Sequence, residues 1–438
     1  MVKSGKVSRR NFLVGSGGLV GTAVLSAGIP KRTLAQAGPA VARKVKIQWI
    51  EWITPEISDE TVRGMLDAFN RTNAGKNIEI ERLTVPYGQA YDKILTLQLA
   101  GKAPDVIQVN APWVAVLNYQ GILTPLDHYF RNAGEQWTSN LAKCMLPLKG
   151  VNYVVPLTVN PAGLYYNEQK LEDAGFSVPP KTWAEVESMG PKLTNPAKNT
   201  YAYTSGMAAQ SPYDGPEKEI LPLIYQCNDT VFKDGKCNLN SPAAVTALKW
   251  WFHLVNDLKI YAPGVFTNRA QDKNEQFVGE VVAFNYESPT HIVVAQRRNP
   301  KLRFGVAQLP AGKTYGNRIS LDTMGIGQTS KSKDAAWEFL HWLGGLEGNR
   351  LYALGRKQLA ANTKADVSEM YADRRVKAFA DIFAAGRCFI EMHVMPETIN
   401  AYRILVEQIH EIANKRKTVE EALEFATTEW NKILAKYA

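Results

Sequence analysis

YDKILTLQLAGKAPDVIQVNAPWVAVLNYQGILTPLD, residues 91–127, is the stretch on which the fold turns. Tyr91, Ile94, Leu95 and Leu99 fall near one face of a helix that Gly101 ends, so all four are expected to pack inward. After Ala103-Pro104-Asp105 comes Val106-Ile107-Gln108-Val109, a short apolar run of the kind buried in a parallel sheet. The run breaks at Asn110-Ala111-Pro112-Trp113 into another helix. In open α/β sheets ligands bind just beyond the carboxyl ends of strands. Asn110 and Trp113 stand at such an end, either to touch a ligand or, for Trp113, to cap the next helix and pack on its own layer.

Upstream, Lys44 to Ile50 reads as a strand, and Glu51-Trp52-Ile53-Thr54-Pro55 as the loop leaving it. Val62, Met65, Leu66 and Phe69 recur at helical spacing, and Ile78 to Val85 alternates as a strand does. Strand, helix and strand in this order define an α/β layer. The run of helix, small-Gly-x-x-Pro-Asp, apolar strand, aromatic loop and Gly-x-Leu-x-Pro-Leu-Asp resembles the extracellular solute-binding proteins of sugar importers, the family of the maltodextrin-binding protein. Further segments agree in order along the chain. Val151 to Asn167 resembles the family's first crossing strand, Gly279 to Phe284 its Gly-Lys-x-Ala-Met strand, and Phe304 to Gly312 a further signature. Ser320 to Gly327, Ala335 to Leu340 and Pro396 to Tyr402 follow suit. Where the family has stacking tryptophans, this chain has Tyr286-Glu287-Ser288-Pro289-Thr290 and Met324 instead.

The resemblance implies an α/β two-lobe periplasmic-binding-protein fold with discontinuous lobes, a hinge and an interlobe cleft. Lobe one is expected to take residues 38–157 and 323–369, lobe two 158–322 and 370–438. The crossings fall near Asn160, Asp322 and Asp366–Asp373. The family's ligand positions correspond here to Glu51, Trp52, Asn110, Trp113, Asn160, Tyr213, Asp214, Glu287, Ser288, Asp322, Met324 and Tyr402. Trp52, Trp113, Tyr213 and Tyr402 would cover the flat faces of a sugar, and the polar residues its hydroxyls. The implied mechanism is closure of the lobes over the ligand and delivery to an inner-membrane ABC permease.

Residues 1–37 read as an address. Ser8-Arg9-Arg10-Asn11-Phe12-Leu13, a Gly-rich, weakly apolar run and Ala35-Gln36-Ala37 form a twin-arginine export signal cut after Ala37. That segment holds six of the 51 Lys and Arg and none of the 42 Asp and Glu, leaving 45 basic against 42 acidic, a net of +3. The basicity therefore belongs mostly to the signal, and nucleic-acid binding loses its support. The mature protein is expected in the periplasm as a monomer.

An oxidising compartment permits disulfides. Cys227 and Cys237 flank an Asp234-Gly235 turn and are expected to bridge if the loop folds back, with two free thiols as the alternative. No spacing of Cys or His suggests a metal, and no cofactor is implied. The consecutive Tyr165 and Tyr166 lie in a strand, so their rings point to opposite faces and packing outweighs metal binding. No G-x-S-x-G, H-E-x-x-H or Gly-Lys-Ser loop occurs in the mature chain, so no enzyme is expected. Two alternatives stay open. One is a phosphorylated polyol or other anion held by Arg269, Arg297 or Arg318; the other is a carbohydrate hydrolase using a carboxylate pair.

Overall fold

A computed structural model describes residues 44–390 and 392–437. The expected export signal, with its expected cleavage after Ala37, lies outside the described residues.

Two sheets organise the chain. The larger has the order β12 (Leu359–Ala360), β4 (Val154–Pro161), β11 (Asn317–Ile326), β3 (Val106–Asn110), β1 (Val45–Glu51), β2 (Ile78–Thr84), with β13 (Cys388–Phe389) pairing with β11. The strand β1 runs parallel to β2 and β3, whereas β11 is antiparallel to β3 and β4. The smaller sheet has the order β10 (Phe304–Ala307), β5 (Gly163–Asn167), β9 (Val282–Glu287), β6 (Tyr201–Tyr203). A two-residue hairpin, β7 (Phe232–Lys233) and β8 (Lys236–Cys237), stands apart.

Composition explains the layers. All five residues of β3 are buried, as an apolar run in the middle of a sheet must be. The helix before it spans Tyr87–Leu99 and buries Ala90 and Ile94. Gly101 follows at φ +66°, where a residue with a Cβ is strained. Leu99 does not pack inward: it lies in the last turn and is 90% exposed. Beneath the large sheet Trp49 and Phe69 meet Phe339 edge-on, with centroids 5.3 and 5.1 Å apart. Tyr203, Phe284, Trp251 and Trp430 belong to a second core under the small sheet. Each such side chain contributes about 1.5–3 kcal/mol by leaving water.

The chain passes from one sheet to the other at Ala162, since β4 belongs wholly to the large sheet and β5 to the small. Gly163 begins β5 so close to Phe379 that a Cβ would lie 2.6 Å from its ring. The chain returns between β10 and β11, and leaves again after β12 for the helix Arg374–Ala384, which packs on β10. Both β4 and β11 run unbroken past the boundaries expected at 157/158 and 322/323. Thr418 caps the last helix, Val419–Lys436, in a reciprocal capping box with Glu421.

The expected disulfide is not formed, and all four cysteines are free. Register explains it: the tight hairpin sets Phe232 opposite Cys237, while Cys227 ends the helix Leu221–Gln226. Burial pushes the Cys227 thiol up to about 11 and Cys237 up to about 12. Among the described residues there is no helix long and apolar enough to cross a membrane, and no His, Cys, Asp and Glu group able to hold a metal.

Candidate functional site

Strand register brings the first wall of a cavity together. Pairing of β11 with β3 sets Asp322 beside Asn110, and pairing with β4 sets Ser320 beside Asn160. Ser320 Oγ donates to Asn110 Oδ1 at 2.9 Å, and Asn110 Nδ2 donates to the Tyr87 hydroxyl at 3.0 Å. From the end of β1 come Trp52 and, one short turn on, Glu56. The segment before β12 brings Arg356 and Gln358.

The second wall comes from the small sheet. Gly215-Pro216 opens a π-helical turn, Pro216–Ile220, that sets Lys218 against Asp214 at 2.5 Å. Lys218 also reaches Glu287, at the end of β9, at 2.7 Å. Lys273, fully buried on the helix Ala270–Val278, lies 2.5 Å from Asp214 and donates to the Tyr286 carbonyl. Thr290 and His291 complete this side. The cavity between the walls measures about 300 Å³, at the small end of the usual range of about 300–1,000 Å³ for small-molecule sites.

Burial and pairing set the charges. Burial alone would raise Glu287, but Lys218 and Lys273 outweigh it and hold its carboxyl well below the ordinary range. Burial pushes the His291 imidazole down to about 4 against the pull of Glu287, so it is neutral at pH 7. Burial also raises Asp322 and Glu56, although Arg356 opposes both. One Arg356 terminal nitrogen lies 2.8 Å from each of those carboxylates. Gln358 ties the walls to one another. Its Oε1 accepts from Thr158 Oγ1 at 2.7 Å and Arg356 Nε at 3.0 Å, while its Nε2 donates to Thr290 Oγ1 at 2.6 Å.

Of the residues nominated from sequence, Trp52, Asn110, Asn160, Tyr213, Asp214, Glu287, Ser288 and Asp322 line this cavity. Four others stand behind its walls. Glu51 is fully buried, its oxygens taken by Thr54 N, Thr54 Oγ1 and Thr84 Oγ1, so it shapes the loop rather than facing the cavity. Trp113 stacks on Tyr87 at 5.5 Å and borders a separate hollow with Tyr91 and Tyr437, because the turn Ala111–Trp113 carries its ring past the strand end. Met324 is core, paired with Gln108 and Val155. Tyr402 is fully buried edge-on to Tyr213 at 5.8 Å. Glu56, Tyr87, Lys218, His291, Arg356 and Gln358 escaped the sequence reading. Only the i, i+4 spacing of Asp214 and Lys218 could have hinted at one of them.

Two α/β lobes joined by crossing segments, with a polar cavity between them that draws residues from both, define a binding protein of the periplasmic type. The family model described as bacterial extracellular solute-binding protein matches residues 54–350, and the chain belongs to that family. It is 27% identical to a binding protein of Brucella abortus over 286 residues, 63% of this chain and 66% of the relative. It is 24% identical to the maltotriose-binding protein of Pyrococcus abyssi, over 68% of this chain and 62% of that one. The matches thus span a little under two thirds of these relatives' lengths. A solute-binding protein of Thermotoga lettingae bound with α-D-tagatose superposes with a TM-score of 0.76 at 20% identity, covering 89% of this chain and all of that one.

Proposed function

We propose that the protein is the substrate-capturing component of an ABC importer for a sugar or polyol of one to a few units. The observation that carries this reading is the mixed set of buried polar atoms left without a hydrogen-bond partner among the cavity residues. Asn160 Oδ1 lacks a donor, while Arg356 Nη1 and Arg318 Nε lack acceptors. A hydroxyl can satisfy either kind, and each such bond contributes about 1 kcal/mol net, more when charged. Trp52, Tyr87 and Tyr213 supply apolar faces for ring carbons. The named relatives that bind a maltotriose or a tagatose support the same class.

The lobes close over the ligand about the three crossings, and the closed form docks on an inner-membrane permease. The protein is exported through the twin-arginine route, cut after Ala37, and works in the periplasm as a monomer. An anionic ligand finds less support: Arg269 and Arg297 are exposed and do not line the cavity, and Arg318 is paired with Glu217 at 3.2 Å.

The test is a melting-temperature screen of the purified protein against sugars, polyols and their phosphates. A ligand at ~100-fold over its dissociation constant adds about 2.7 kcal/mol. No response to any carbohydrate, with a shift for another solute class, refutes the reading. N-terminal sequencing of periplasmic protein checks the cleavage after Ala37.

A further inference from the structure

Ion pairing in the cavity is uneven. Asp214, Glu217 and Glu287 of the small-sheet side are matched by Lys218 and Lys273 of the same side and by Arg318, which reaches across from β11 to Glu217, in direct ion pairs. On the large-sheet side Glu56 and Asp322 share a single ion-pair partner, Arg356. Glu51 is satisfied by hydroxyls and an amide alone, with no Lys or Arg partner among the described residues. Glu56 and Asp322 converge on the same guanidinium nitrogen and are therefore close neighbours. His291 adds no positive charge at neutral pH. Two carboxyls thus face one guanidinium on the large-sheet wall, and with both ionised an added cation would offset the charge that Arg356 leaves.

Two independent observations point to an occupant there. Asn160, only 6% exposed and lining the same cavity, has a carbonyl oxygen with no donor. Trp52 and Tyr87 border the wall and present aromatic rings, which attract cations.

We propose that the ligand presents a cationic nitrogen, as an aminated sugar or amino polyol does, to the wall made by Trp52, Glu56, Tyr87 and Asp322. An ammonium carries three donors and no acceptor, which suits two carboxylates and the free Asn160 oxygen. Its charge offsets the surplus that Arg356 leaves. The ligand's hydroxyls serve Arg356 Nη1 and the small-sheet wall. This rests on the carbohydrate reading above and narrows it.

The experiment is calorimetric titration of the purified protein at about pH 6, below the usual α-amino range. The probes are glucose, galactose, mannose and sorbitol, each beside its amino-deoxy counterpart. At least one aminated compound is expected to bind about tenfold or more tighter than its parent, the margin of a charge-assisted over a neutral hydrogen bond. The gap is expected to shrink to about threefold or less in Asp322→Asn or, should that variant fold poorly, in Glu56→Gln. If parents bind and no aminated counterpart exceeds its parent, the proposal is overturned while the carbohydrate reading stands. A gap that survives both substitutions also overturns it. Silence from both series, and from the wider sugar screen, removes the carbohydrate reading itself.

Discussion

Arg356→Met isolates what one guanidinium does for the cavity. Arg356 is 3% exposed, and a single terminal nitrogen lies 2.8 Å from both Glu56 Oε2 and Asp322 Oδ2. Methionine keeps much of the stem but lacks the guanidinium that lies over the Tyr352 ring, and it leaves two carboxylates without their cation. Breaking a buried pair costs about 3–5 kcal/mol. Glu56 retains 26% side-chain exposure, which places the expected loss near the lower end, about 3 kcal/mol. The pH dependence has a definite sign. Both carboxyls already lie above their ordinary range because of burial, and losing Arg356 raises them further. The folded variant then binds more protons than its unfolded chain, so its deficit is largest above the folded-state pKa and shrinks as pH falls. Urea denaturation of both proteins at about pH 7 and pH 5 measures this as a difference of differences. A loss under about 1 kcal/mol at the higher pH, or one that stays constant between the two, refutes the assignment.

The His291 imidazole, held down at about 4, takes up its proton in the unfolded chain first. Stability is therefore lost as pH falls from about 6.5 to about 4, by at most ~1.4 kcal/mol per pH unit. His291→Gln should flatten that part of the curve, and an unchanged slope in chemical denaturation refutes the role. Trp52→Ala, which strips an aromatic face from the cavity, should weaken ligand binding at least about tenfold by calorimetry. Trp113→Ala should instead act mainly on stability, by about 3–5 kcal/mol, and the reverse order of affinities counts against the placement of these rings. Native protein should react slowly with a thiol reagent and show all four thiols after unfolding without reductant. A count of two would reinstate the Cys227–Cys237 bridge.

The strands were readable where burial leaves a pattern: Val106 to Val109 is apolar because both faces of β3 are covered. The residues at strand ends were readable too, since Trp52, Asn110 and Asn160 stand at or near where the chain leaves a strand, while Asp322 lies mid-strand beside Asn110. What sequence does not carry is direction after the last strand residue. A turn at Ala111–Trp113 decides which hollow Trp113 borders, and helical phase decides that Tyr402 packs behind Tyr213. The ion pairs were illegible for another reason. Asp214, Lys273 and Glu287 meet only through tertiary packing, and each taken alone looks like a solvated surface residue. The lobe bounds expected at 157/158 and 322/323 fall inside β4 and β11, which run on as fully buried strands through both points.

The bond from Gln358 Nε2 to Thr290 Oγ1 joins the two walls without involving any occupant. Retention time therefore has a component that belongs to the protein rather than to its cargo. Both side chains also line the cavity, so a substitution at either changes what an occupant meets as well as this link.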